Sequence, residues 1–167
     1  MHSLLPPHAR VWVYQSTRPF TENESASIAE KVNLFVQQWT SHKAGVIGDG
    51  LLLYNRFVVL MADEEQVGVS GCSVDSSVRF IKSLEQELNT NFFDRWNIAY
   101  FKNNEVHNCG MADFEKLIES GEVNDETIVF NNLVQNKKDF EANWKVPYAK
   151  SWLKNFAKSN TRFSSVL

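Results

Sequence analysis

The chain has 167 residues, 43% hydrophobic and 22% charged, with a formal net charge of −3; this is the length and composition of one ordinary globular domain, able to bury a core without disulfides or metal. No apolar run approaches the roughly 18 residues of a membrane-spanning helix, and residues 1–10 show no signal-peptide pattern. Cys72 and Cys109 match no metal-ligand spacing, so the sequence predicts a cytoplasmic protein without a cofactor, a metal site or a membrane partner.

The first strand is read over Arg10–Thr17, with Val11, Val13 and Gln15 on one face and Trp12 and Tyr14 on the other, as suits a central strand. Thr21 and Glu24 form a capping-box pattern at the start of a helix. Ile28, Val32, Phe35, Val36 and Trp39 follow at helical spacing, leaving Glu30, Lys31, Gln37 and Gln38 outside. Lys43–Ile47 is a short strand candidate, and Gly48-Asp49-Gly50 reads as a hairpin turn. Leu51–Ala62 alternates as a long strand, with a break at Asn55-Arg56 into two strands as the competing reading.

Residues 63–72 read as a polar loop. Asp75 caps the next helix, whose apolar stripe is Val78, Ile81, Leu84 and Leu88. Arg95–Phe101 is a strand that Asn103-Asn104 turns into Glu105–Asn108. A short helix over Ala112–Ser120 ends at Gly121. Thr127–Val134 is a last strand candidate, and helices over Lys138–Trp144 and Pro147–Ala157 close the chain, Pro147 opening the second. The order from 10 to 101 is β-α-β-β-α-β, the ferredoxin-like order. The expected fold is therefore one α+β domain over 1–167, with a ferredoxin-like core at about 10–109 and a mainly helical C-terminal layer at about 110–167.

Twelve Phe, five Trp and four Tyr fill a core on the plainest reading, with a ligand pocket as the alternative. Charge is uneven: Lys137–Leu167 carries seven Lys/Arg against two acids, whereas residues 1–136 carry ten against eighteen. A basic tail of this kind docks on its own acidic body or meets an acidic partner. In the last helix Tyr148, Trp152 and Phe156 recur every four residues, and Lys150, Lys154 and Lys158 follow two positions later, about 200° around the helix. Aromatic and basic faces are then opposite, against the interleaving that single-stranded nucleic acid needs, so no nucleic-acid partner is expected.

Chemistry has few candidates. Cys72 lies just before a helix, whose N-terminus lowers a thiol pKa. With His42 as base and Asp75 as orienting group it would form a Cys-His arrangement. The alternative is a small buried cysteine, a capping aspartate and a loop histidine. Ser70, Gly71, Ser73, Ser76 and Ser77 surround the same helix start and could hold a small anionic ligand on backbone amides, or serve ordinary capping. Asn55 and Arg56 in one strand, with Asn131 and Asn132 in another, are candidates to line a polar pocket. His2, His8 and His107 offer no metal spacing.

Several segments belong together: Val11–Ser16, Gln38–His42, Tyr54–Met61, Ser70–Val78, Ile128–Val134 and Trp144–Pro147. With them the chain resembles a family of short, uncharacterised bacterial proteins often labelled "ABC transporter ATPase". The resemblance covers nearly the whole chain and assigns no chemistry to its residues. The ATPase label fails on the residues themselves. Gly45-x-x-Gly48-x-Gly50 is not followed by Lys-Ser or Lys-Thr and leads into a strand, so neither the lysine nor the helix N-terminus of a P-loop is present. The expected function is a non-catalytic binding or assembly domain, with a homodimer among its forms. The alternatives are a thiol enzyme using Cys72 and an anion-binding helix start.

Overall fold

The computed structural model describes residues 4–41, 47–63 and 71–156, with Ser41, Gly71, Cys72 and Ser73 described by backbone alone. The chain mixes helix with two antiparallel sheets and divides into two compact units, one of Met1–Asp94 with Asn132–Ala142, the other of Arg95–Asn131 with Asn143–Leu167.

In the first unit, β1 (Arg10–Gln15), β2 (Ile47–Leu53) and β3 (Phe57–Asp63) form a sheet of order β1-β3-β2. Helix α1 (Glu22–Ser41) links β1 to β2, and α2 (Gly71–Leu88) follows β3. The central strand β3 is buried from Phe57 to Ala62, as its uninterrupted apolar run requires. Val58, Leu60 and Ala62 join Tyr14 on one face, where Ile28, Val32 and Trp39 of α1 and Ile81, Leu84 and Leu88 of α2 complete a core. The stripes read at helical spacing in both helices are therefore the faces that pack. The capping box forms: Glu24 N–H donates to Thr21 Oγ1 at 3.2 Å, and Thr21 N–H donates to Glu24 Oε2 at 2.9 Å. Helix α2 ends in a Schellman-type turn, with Asn89 at φ 47° and Thr90 N–H reaching Glu85 C=O at 3.3 Å.

The two glycines at 48 and 50 do not make a turn. Both lie within β2, opposite Ala62 and Leu60. A Cβ on Gly50 would come within 2.3 Å of Val32 Cγ1 and 3.1 Å of Val36 Cγ2, and one on Gly48 within 3.0 Å of Thr40 Cγ2. Glycine is present because α1 crosses the strand here. The turn comes at Tyr54-Asn55, where both residues have positive φ, 53° and 49°, and Arg56 N–H donates to Leu53 C=O at 3.1 Å. That is a type I′ turn, and the run from 51 to 62 is two strands, as the competing reading had it. Of the strand candidate at 43–47, residues 43–46 lie outside the described residues. Asp75 sits in the second turn of α2, which begins at Gly71, so it does not cap that helix.

The fourth strand of the expected order, β4 (Asn97–Lys102), lies in the second unit. Its sheet has the order β5-β4-β6-β7, with β5 at Glu105–Gly110, β6 at Ile128–Phe130 and β7 at Lys145–Pro147. The corresponding edge of β1 instead meets the segment after Asn132: Val11 N–H donates to Gln135 C=O at 3.0 Å, and Arg10 bridges Asn136. Element order alone does not say which strands pair. Here Asn103 and Asn104, at φ 52° and 62°, tie β4 to β5 as a two-residue hairpin.

The C-terminal segment thus contributes strands as well as helices. Helix α3 (Met111–Glu119) ends on Gly121 at φ 81° and places Phe114 in a core with Ile98, Tyr100, Val123, Val129, Tyr148 and Leu153. Helix α4 (Lys137–Asn143) precedes β7. Pro147 ends β7 rather than opening a helix: a single 3-10 turn, Tyr148–Lys150, is followed by extended Ser151 and only then by helical residues 152–156. That interruption breaks the four-residue spacing, and Lys154 Nζ lies 5.1 Å from the centre of the Tyr148 ring instead of on an opposite face.

Substituting Gly50→Ala forces a methyl into Val32 and is expected to cost about 1–3 kcal/mol in urea unfolding. Combining it with Val32→Ala, which empties that space, should cost clearly less than the sum of the two single changes. Strict additivity would mean that α1 does not sit this close to β2.

Candidate functional site

Residues from four segments meet where β1 ends. Ser16 N–H donates to Arg56 C=O at 2.8 Å, and Thr17 N–H donates to Asn91 C=O at 3.0 Å. Phe20 N–H donates to Asn55 C=O at 2.7 Å. Side chains repeat the pattern: Ser16 Oγ and Thr90 Oγ1 are 2.8 Å apart, Thr17 Oγ1 and Thr90 Oγ1 3.2 Å, and Ser25 Oγ donates to Asn55 Oδ1 at 3.2 Å. Asn132 Nδ2 donates to Gln15 Oε1 at 2.8 Å. Asn55, Arg56 and Asn132 are therefore structural neighbours of the β1 exit, with the first two on the hairpin tip.

Arg56 is 5% exposed, and burial pushes its guanidinium pKa down. Tyr54 is 42% exposed in left-handed backbone, a conformation uncommon for an aromatic residue. Its ring stands edge-on to Phe57, 6.3 Å between centres.

Arg18 locks this end. Its guanidinium grips Glu24 with two bonds of 2.9 Å and also donates to Leu88 C=O, joining the first turn of α1 to the end of α2. The Arg18 fork, then the Thr21 amide, hold the Glu24 carboxyl at about 2. An Arg six residues before the cap glutamate was the available signal, but a capping-box reading does not ask what else the glutamate binds.

The other sequence candidates fall elsewhere. His42 and Ser70 lie outside the described residues. Gly71, Cys72 and Ser73 form the first turn of α2, and their side chains are not described. Asp75 is exposed and Ser76 half-buried. Ser77 is fully buried, its hydroxyl donating to Val74 C=O at 2.7 Å. Cys109, on β5, is half-buried, and burial together with Asp113 pushes its thiol pKa up. Asn131 belongs to the second unit, where its N–H donates to Trp144 C=O at 2.7 Å. Among the described residues, no group of three or more His, Cys, Asp or Glu could hold a metal, and no helix is long and apolar enough to cross a membrane.

The outer edge of β2 was not a sequence candidate. Strand amides alternate in direction. Val11 N–H points away from β3, to Gln135, so Arg10, Trp12 and Tyr14 bond β3 through Ala62, Leu60 and Val58. Phe57, Val59 and Met61 then serve β2 through Leu53, Leu51 and Asp49, and the backbone groups of Gly48, Gly50 and Leu52 point outward. Consistent with this, Gly50 N–H bonds Asp49 Oδ1 at 2.8 Å. No further strand lies beyond β2 among the described residues.

Ile47, Asp49, Leu51 and Leu53 share the face opposite α1, and Ile47 is 61% exposed. No cation pairs with Asp49 among the described residues. Nothing in the sequence marks which strand of a sheet lies outermost.

Comparison of the chain with protein-family models, with curated proteins and with solved structures returned no match.

Two outcomes follow from these environments. Glu24→Gln should destabilise the protein at neutral pH and lose its effect in acid. The folded-state pKa of Glu24 is depressed from 4.5 to about 2, so its contribution is full above 4.5 and disappears as pH falls through about 2. Urea midpoints of wild type and variant across that range should converge; a constant gap would detach Glu24 from the Arg18 clamp. Cys109 should alkylate with iodoacetamide more slowly than an unfolded thiol at the same pH, and Asp113→Asn should recover part of the rate. A Cys109 as fast as the free thiol would contradict its environment.

Proposed function

We propose that the chain is a non-catalytic binding or assembly domain that takes up an extended polypeptide segment along the outer edge of β2. The observation that carries this reading is the outward row of Gly48, Gly50 and Leu52 on a seven-residue strand with no neighbour beyond it among the described residues. Such an edge offers a row of backbone groups to an incoming strand, and main-chain hydrogen bonds supply the affinity. The exposed Tyr54 at the hairpin tip lies at the end of the same strand, where an added segment would pass it.

We read β1-α1-β2-β3-α2 as the split β-α-β part of a ferredoxin-like arrangement, supported by the antiparallel order β1-β3-β2. We also keep the cytoplasmic reading and the resemblance to the short bacterial family as proposals, on the sequence features that suggested them.

Amide hydrogen exchange in the purified protein tests the edge directly. The outward amides of Gly48 and Leu52 should exchange at least about tenfold faster than the inward amides of Leu51 and Leu53. Equal protection of all four would mean that the edge is covered already, and the reading would fall.

A further inference from the structure

We infer that the segment that adds to β2 is one from another protein carrying a basic residue opposite Asp49, flanked two positions away on either side by apolar residues. The inference rests on the edge reading above and adds the chemistry of the partner. Along β2 the residues on the face opposite α1 are Ile47, Asp49, Leu51 and Leu53. A strand laid antiparallel on the outer edge places its own alternate side chains beside these. Ile47 and Leu51 offer apolar neighbours on either side of a carboxylate that has no cationic partner among the described residues.

A second copy of the same strand does not satisfy that carboxylate. The run Ile-Gly-Asp-Gly-Leu-Leu-Leu contains no Lys or Arg. In a twofold pairing centred on Asp49 the two carboxylates face each other. Centred on Gly50, Asp49 faces Leu51 of the second copy; centred on Leu51, it faces Leu53 of the second copy. Like charges directly opposite repel, and a carboxylate set against leucine loses water without gaining a partner. A basic residue in a foreign strand removes both penalties. On the other side of β2, Gly48 and Gly50 offer a partner no side chain to read, and α1 fills the space above them. Selection therefore acts through one face only.

The probe is a blocked, alternating heptapeptide, Thr-Val-Thr-Lys-Thr-Val-Thr, added to the isotopically labelled full chain. The central lysine should lie beside Asp49 and perturb the amide signals of Gly48 and Leu52. The same peptide with a central Glu should bind about tenfold more weakly, and N-methylation of its edge-facing amides should abolish binding. Asp49→Lys should reverse the order of the two peptides. Equal binding of the Lys and Glu peptides would overturn the charge inference and leave the edge reading standing. No perturbation of Gly48 or Leu52 by any peptide at millimolar concentration would overturn both. Concentration-dependent perturbation of the same amides in the protein alone, with dimer mass by light scattering, would replace the foreign strand by a second copy. The peptide comparison uses the wild-type chain, so it stands even if Asp49→Lys fails to fold.

Discussion

Helix α1 lies on β2 at a separation that only a residue without a side chain permits, and much of the first unit follows from that contact. Val32 and Val36 fill the space above Gly50, and Thr40 and Trp39 the space above Gly48. With the helix seated this low, Ile28, Val32 and Trp39 reach the row of Val58, Leu60 and Ala62 on β3 and close a core with α2. The glycines carry an entropic cost, since glycine loses more freedom on folding than other residues. The apolar area that α1 buries must offset it. The same contact distributes chemistry across the strand. Residues 48 and 50 present nothing but backbone, and the larger side chains of Asp49, Leu51 and Leu53 are left on the opposite face.

The far end of the sheet is held by polar contacts as well as by the packing of Phe20 on Phe92. Arg18 binds the first turn of α1 and the last turn of α2 together, and the hydroxyls of Ser16, Thr17 and Thr90 close the gap between the β1 exit and the segment after α2. The β2–β3 turn is pinned to the same place by the carbonyls of Asn55 and Arg56. These bonds explain why a turn with Tyr at a left-handed position persists: Ser16, Phe20 and Ser25 over-determine the path of Asn55 and Arg56. The strand edge is therefore presented by a hairpin fixed at its tip and backed by a helix along its length. A backbone held in place in this way loses little further entropy on pairing.

The two helices, their buried stripes, the capping box and the Gly121 stop were legible, because each depends on residues within one or two turns of each other. The hairpin at Asn103-Asn104 was legible for the same reason. The glycines at 48 and 50 were misread because a close helix crossing and a tight turn both demand glycine, and only the position of α1 distinguishes them. The last segment was misread because extended Ser151 cuts a pattern that had looked continuous from Tyr148 to Phe156. Element order does not encode that β4 pairs with β5 and β6 rather than with β1. Asn55 and Arg56 stood out as polar residues in an apolar run, and they do lie at the hairpin tip. The outer edge of β2 carried no signal, because its distinguishing groups are backbone amides and carbonyls that every residue has.

Asp49 has a double position on that edge. It is the only charged side chain between Ile47 and Leu53, and its carboxylate accepts the outward N–H of Gly50. In the free protein this local bond occupies one of the donors that an approaching strand would need, and the charge repels a second carboxylate. Native proteins protect exposed edges in this way, with a charge placed where a neighbouring strand would have to cover it. On the proposed reading the protection is conditional. A strand that brings a cation to Asp49 draws the carboxylate toward itself and frees the Gly50 amide for the ladder, so the side-chain contact and the backbone contact form together. A neutral or acidic strand receives neither. On the proposed reading, the residue that keeps the edge from pairing indiscriminately is thus the one that admits its partner, and the glycines on either side leave it no competing side chain.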